Sequence, residues 1–257
     1  MKFKANEMEP LLRLIVKAVE KGVGEDIRDY LTSTDKATNN AVRLMRADNI
    51  NTNLRDSVVS DTIELKYFNR SAWVGCLLID RQHCLTFTIC TKQTLESIPK
   101  KPNRHIPHYL QTILYVQNSE VEAQYKQSTL FDGMPEEVNQ FSNEEYQRDY
   151  ENIMDDDLSF GDKYQHWVVV YEASHLSVTS ISLMLLDKDF QTAQEIKLDN
   201  LLKPDFSELT TTEATSLPKQ DAHSLVTVKP KIKKSANGTP QQETRVSAKI
   251  TEEKKQA

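Results

Sequence analysis

Glycine is scarce, with six in 257 residues. That excludes a glycine-rich phosphate cradle, which needs several glycines close together so that backbone N–H groups can converge on the anion. Walker-type loops, G-x-G-x-x-G, G-x-S-x-G and H-E-x-x-H are all missing, which leaves P-loop hydrolysis, serine-hydrolase and zinc-protease chemistry without a signature. Cysteine is scarcer still: Cys76, Cys84 and Cys90 are odd in number and lack C-x-x-C spacing. Such usage speaks against a disulfide framework, and reduced thiols point to the cytoplasm. No apolar run approaches the ~20 residues that cross a bilayer, and Met1-Lys2-Phe3-Lys4 lacks the apolar core of a secretory signal. The expectation is a soluble cytoplasmic protein that keeps off membranes. No repeat with a period of ~20–50 residues is visible.

Hydrophobic residues make up 38% of the chain, which is low for a sequence packed entirely into a core, so part of it is expected to stay unpacked. From Ser207 to Ala257 the composition is Thr, Ser, Lys, Gln and Pro with few large apolar side chains. A segment like this buries too little surface to offset its ordering entropy and reads as a disordered polar tail. Its cluster Lys229-Pro230-Lys231-Ile232-Lys233-Lys234 is either solvated or a weak contact for nucleic acid or an acidic partner. The tail carries nine Lys/Arg against six Asp/Glu, so the formal net charge of -6 becomes -9 over residues 1–206. A body this acidic repels phosphate backbones unless a local basic patch overrides it.

What the sequence does hold is a meander between Thr62 and Cys90. Ile63, Leu65 and Tyr67 alternate with Thr62, Glu64 and Lys66, which predicts a strand with the first set buried. Trp73–Ile79 is apolar or small throughout, as in a strand covered on both faces, and Asp80-Arg81-Gln82-His83 supplies a polar turn. Leu85, Phe87 and Ile89 alternate with Thr86 and Thr88 in a third strand, which predicts the threonines on its outer face. Further on, Trp167-Val168-Val169-Val170-Tyr171 within His166–Ala173, then Ser180–Leu186, and a segment ending near Leu198 predict three more strands.

Helices are expected around this sheet. Leu11, Leu12, Ile15, Val16 and Val19 form a stripe over Glu7–Lys21, with Gly22 as its stop. Glu25–Leu31 offers two more turns, and Ser33-Thr34-Asp35 would cap a third helix through about Ala47, with Ala37, Ala41, Val42 and Met45 inward. Asp48–Ser57 reads as a loop. A basic loop punctuated by Pro99, Pro102 and Pro107 carries Lys100, Lys101, Arg104 and His105, and Pro107 opens a short helix through Gln117. The stretch 131–162 holds eleven Asp/Glu and one basic residue, Arg148. It reads as an acidic helix starting after Pro135, lined by Val138, Phe141, Tyr146, Tyr150 and Ile153 and ending near Asp155-Asp156-Asp157. Together these elements predict one α+β domain over about residues 1–206, with a mixed, mainly antiparallel sheet of about six strands and N-terminal helices over about 7–47.

Three chemistries fit parts of this pattern. Asp61, Glu64 and Lys66 resemble the acidic pair and lysine of Mg-dependent nucleases, but the Glu-x-Lys triplet recurs at Glu195-Ile196-Lys197, as simple strand alternation would produce. Three helices before a hairpin also match the order of a winged helix-turn-helix, with Lys36, Arg43 and Arg46 available for DNA phosphates. The leading expectation is a non-enzymatic regulator or inhibitor without a cofactor. Its acidic residues Glu144, Glu145, Asp149, Glu151, Asp155, Asp156 and Asp157 would engage a protein with a basic surface. Cys84, Cys90, His105 and His108 contain zinc-ligand types, yet their spacing is wrong for a knuckle, and no metal is expected.

Arg70-Ser71-Ala72-Trp73 through Ile79-Asp80, then Leu85–Cys90 and His108-Tyr109-Leu110, give the chain a resemblance over about residues 60–117. It resembles an uncharacterised family of soluble proteins from low-GC bacteria and their phages. The resemblance implies no catalytic residues. It does imply a phage-related or mobile-element setting, where small proteins regulate or neutralise other machinery.

Overall fold

The stripe of the first helix sets what one face of the sheet must cover. In α1 (Ala5–Val23), Met8, Leu11, Leu12, Ile15, Val16, Val19 and Val23 recur every three or four residues, and all are buried. The computed structural model describes residues 5–70, 73–100, 104–123 and 141–203, all within a unit spanning Met1–Phe206. Gly22 lies inside α1 rather than ending it. A Cβ there would sit 2.8 Å from the backbone N of Ile50, so glycine permits the close approach of a second helix.

That second helix departs from the sequence reading. After α2 (Glu25–Ser33), the chain is non-helical until α3 (Val42–Ser57), which takes in the Asp48–Ser57 stretch expected to be a loop. Ala37 and Ala41 are exposed, and the inward residues are Ile50, Asn53 and Leu54. Asn53 mimicked a loop residue because its polarity is satisfied by tertiary contact: its Nδ2 donates to Asp26 Oδ2 at 2.7 Å.

Six strands follow: β1 (Ile63–Arg70), β2 (Trp73–Asp80), β3 (Leu85–Thr91), β4 (Gln165–Ser174), β5 (Ser177–Leu186) and β6 (Thr192–Lys197). Their spatial order equals their chain order, and every pairing is antiparallel except that of β3 with β4. A parallel pair needs a long crossover, and here it contains α4 (Lys92–Ser97), α5 (Tyr109–Gln117) and α6 (Asn143–Met154). The fold is α+β, two meanders joined side by side through one parallel seam.

Alternation divides the central strands between two cores. Leu78, Phe87, Trp167, Val169, Tyr171, Ile181 and Leu183 face α1 and α3. On the opposite face, Phe68, Leu77 and Ile79 pack with Tyr150, Ile153 and Met154 of α6, while Cys90, Val168, Val170 and Leu186 pack with Leu95 of α4 and Leu110 and Leu114 of α5. In β1 the expected inward set holds only in part, because Ile63 and Leu65 are half-buried, Tyr67 is exposed and Phe68 on the other side is buried. An edge strand is covered on whichever face a helix reaches, and α6 reaches the even-numbered one.

The crossover helices are fixed locally. Thr91 caps α4, resolving the ambiguous stretch after Cys90, and His108 rather than Pro107 sits at the head of α5, its ring accepting from Leu110 N at 3.2 Å. α6 begins at Asn143 behind a capping box formed by Ser142 and Glu145, and it ends at Met154 before Asp155. Tyr146, Tyr150 and Ile153 are buried as the pattern predicts. Val138, the stretch 124–140 and the polar tail 207–257 lie outside the described residues.

Beneath α5 and α6 runs a buried polar seam. His166 is fully buried between its register partner Thr86 and Thr88, with Nδ1 2.8 Å from Thr86 Oγ1 and Nε2 2.9 Å from Thr88 Oγ1. Thr86 donates its one proton to Gln117 Oε1, whose amide nitrogen donates to Tyr150 at 2.9 Å. Thr86 must therefore accept from His166 Nδ1–H, and Nε2 accepts from Thr88: the ring is a neutral Nδ1–H tautomer. Burial lowers its pKa to about 3.

Candidate functional site

The carboxyl ends of parallel strands are where open sheets bind ligands, because the crossover leaves a crevice there. In this fold the crevice at that end of the β3–β4 seam is a cavity of about 710 Å³, a size typical of small-molecule sites. Ile89, Cys90 and Thr91 of β3 and Tyr171 of β4 form its floor. One wall is α3, through Arg43, Ala47, Ile50 and Asn51; the other is the 104–108 loop with Tyr109 of α5.

Aromatic packing shapes the rim. Gly75 stands opposite Phe68 in the β1–β2 register, and a Cβ there would overlap the Phe68 and Trp73 rings. With glycine in place, Trp73 lies edge-on to Phe68, centroids 5.9 Å apart, and 5.4 Å from the Tyr109 ring. Trp73 stays 42% exposed beside a neighbour whose hydroxyl is driven up in pKa by burial. A half-open indole on a rigid aromatic base offers a planar surface for stacking.

The charge of the cavity opposes that of the body. Arg43, Arg70 and Arg104 line it from α3, β1 and the loop, His105 and His108 join them, and among the described residues no aspartate or glutamate does. Arg70 is neutralised from behind by Asp149 of α6, which also accepts from Thr112. Arg43 and Arg104 have no hydrogen-bond or ion-pair partner among the described residues. Partial burial without a counter-charge pushes the Arg104 guanidinium below its ordinary pKa.

The thiols of this wall are not nucleophiles. Burial raises both Cys76 and Cys90 to about 12, and Cys76 donates its S–H to Asn51 Oδ1 at 2.8 Å. Because the folded chain holds these protons and an unfolded thiol releases them near ~8.5, stability should fall as pH rises above that value. Each thiol then costs up to ~1.4 kcal/mol per pH unit. Urea unfolding at increasing alkaline pH, with and without Cys90→Ala, measures the slope; equal slopes would refute it. Cys84 lies in the turn before β3 with φ 54°, whereas Cys90 lies within that strand.

The residues singled out by sequence are dispersed. Glu64 and Lys66 do share a face, but Glu64 binds Arg81 at 2.7 Å while Lys66 binds Asp157 at 2.6 Å, and Asp61 is exposed before β1. Among the described residues no group of three or more His, Cys, Asp or Glu is placed to hold a metal ion. Lys36 lies over the Tyr30 ring, 5.1 Å from its centroid, in the loop before α3, and Arg46 donates to the His175 carbonyl. Only Arg43 of that trio reaches the cavity.

The acidic seven are similarly divided. Asp149 is buried on Arg70, Glu145 closes the capping box, and Asp155 and Asp157 flank Lys66. Glu151 accepts from Gln147, leaving Glu144 and Asp156 exposed. Sequence reading missed Asn51, Arg70, Trp73 and Tyr109 as site residues. The available signal was the Arg104–His108 basic loop, whose opposite wall lies far away in the chain.

Among the curated proteins and the solved structures compared with this chain, none matches. A family does match over residues 4–249, nearly the whole length, and the chain belongs to it: DUF5986, a family of unknown function.

Proposed function

We propose that this protein is a binding protein whose site is the cavity at the end of the β3–β4 seam, and that it takes a small organic anion with a planar face. One observation carries this reading: partly buried Arg104 faces a carboxylate-free cavity with no counter-ion among the described residues. Partial burial penalises that charge, and a negatively charged ligand in the cavity would offset the penalty. Exposed Trp73 provides the planar contact.

A ligand-controlled binding protein suits a regulator or inhibitor in phage–host or mobile-element conflict, and three unbridged cysteines support a reducing cytoplasm. Contact with a basic protein partner would then fall to exposed Glu144 and Asp156 on and just beyond α6.

Thermal unfolding in the presence of phenyl phosphate and benzoate tests the reading. Each should raise the Tm of the wild type and raise that of Arg104→Gln at least fivefold less. If neither anion shifts the wild type, or both shift the variant equally, the cavity is not an anion site.

A further inference from the structure

The ligand class can be narrowed from the one polar group on the α3 wall whose orientation is determined. Asn51 is half-buried and lines the cavity. Its Oδ1 accepts the Cys76 S–H at 2.8 Å, which fixes the amide so that Nδ2 is free to point at a ligand. No protein acceptor takes those two protons among the described residues. An amide held this way offers its two N–H donors and the second lone pair of its oxygen, so it reads a planar edge that presents an acceptor, alone or beside a donor.

The cavity therefore combines a stacking face on Trp73, a donor on Asn51, and the guanidiniums of Arg43 and Arg104, which have no partner among the described residues. Guanidinium groups are suited to bidentate phosphate binding. Among planar groups that carry a phosphate, a nucleobase is the one whose edge is read by side-chain amides. Both purines present N7 as an acceptor on that edge, and adenine adds beside it the N6 donor that a side-chain amide oxygen accepts, so the amide suits a purine of either kind.

We propose that this cavity binds a purine nucleoside phosphate, with the base stacked on Trp73, its N7 edge on Asn51 and its phosphate between Arg43 and Arg104. The proposal rests on the reading of the cavity as an anion site. The same chemistry is offered by a free mononucleotide and by the 5′-phosphorylated end of a single strand, whose continuation would leave through the open rim.

Quenching of tryptophan fluorescence tests this on the full chain, because Trp167 is fully buried and Trp73 is the half-exposed indole. GMP, AMP, phenyl phosphate, inorganic phosphate and a 5′-phosphorylated guanosine-first tetranucleotide are titrated in turn, with Trp73→Phe as the control for the signal and isothermal calorimetry as the second readout. The expected result is that GMP and AMP both bind at least tenfold tighter than phenyl phosphate. Asn51→Leu should remove that preference, so that the nucleotides and phenyl phosphate bind with similar affinity. Tighter binding of the tetranucleotide than of GMP would support the same site with a strand end as its source. Equal affinity for GMP, AMP and phenyl phosphate would overturn the nucleotide proposal and keep the anion site. No binding of any of the five would overturn both.

Discussion

Asp149→Ala should destabilise the folded chain by about 3 kcal/mol, the cost of leaving a largely buried cation without its counter-charge. The Arg70 and Asp149 side chains are only 16% and 11% exposed, and Asp149 Oδ2 also accepts from the fully buried Thr112 hydroxyl. Truncation therefore strands two groups at once, one charged and one neutral. For a domain of this size the loss corresponds to a fall in Tm of about 10 °C. Urea unfolding at neutral pH measures it, and Arg70→Met combined with Asp149→Leu should recover most of the loss, since no charge is then left buried. A double variant as unstable as Asp149→Ala would mean that packing around α6, and not the ion pair, sets the cost. The same pair ties α6 to the arginine at the edge of the cavity, so ligand affinity in the double variant should fall as well.

Acidification should unfold the wild type through His166. The folded ring keeps a pKa of about 3 while fully buried, whereas the unfolded ring titrates near ~6.5. Above ~6.5 both states are neutral and the group contributes no pH dependence. Below it the unfolded chain binds one more proton than the folded chain, so stability falls with pH at about 1.4 kcal/mol per unit until the folded pKa is reached. Between about pH 6.5 and about pH 4.5 the loss from this ring alone is about 2 kcal/mol. His166→Asn, whose amide can still donate toward Thr86, should be less stable at neutral pH and should lack that part of the acid limb. Carboxylates contribute to both curves, so the difference between them isolates the ring. Parallel acid limbs would show that His166 is not held neutral by the fold.

The two variants probe different uses of the same face of the sheet. Thr86, Thr88 and His166 alternate inward from β3 and β4 onto Gln117 and Tyr150, and a hydrogen-bonded seam of this kind discriminates registers that an all-apolar face would tolerate. Asn118 extends the seam at the end of α5, accepting from His166 N at 2.8 Å and donating to the His166 and Leu186 carbonyls at 2.8 and 2.7 Å. Helix α5 is in this way clamped to β4 and β5. The loop that leads into α5 carries Arg104 to His108, and the clamp holds that wall of the cavity in place.

Much of this architecture was legible from local pattern. The α1 stripe and the Tyr146–Tyr150–Ile153 face report which side of a helix is buried, and the apolar run Trp167–Tyr171 reports a strand covered on both faces; the alternation in β3 misleads, because Thr86 and Thr88, expected on its outer face, are buried against His166. Periodicity carries that information because burial repeats with the geometry of the helix or strand itself. It failed at α3, where Asn51 and Asn53 look like loop residues, because their polarity is satisfied by Cys76 and Asp26 from other elements.

Partnership is a different kind of fact. Along the chain, Asp149 and Glu151 look alike, as do Arg43 and Arg46, yet one of each pair is consumed by a contact with a distant residue or placed in the cavity wall. The sequence by itself determined an α+β sheet with its helices, its acidic body and its basic loop, since these follow from each segment's own composition and period. Only the tertiary structure decided that β3 and β4 run parallel, that the acidic stretch neutralises Arg70 and Lys66, and that three arginines from separate elements share one cavity with no aspartate or glutamate among its described lining residues. The physical reason is that a charge is assigned its role by whatever the folded chain brings within a few ångströms of it, and no local period encodes that neighbour.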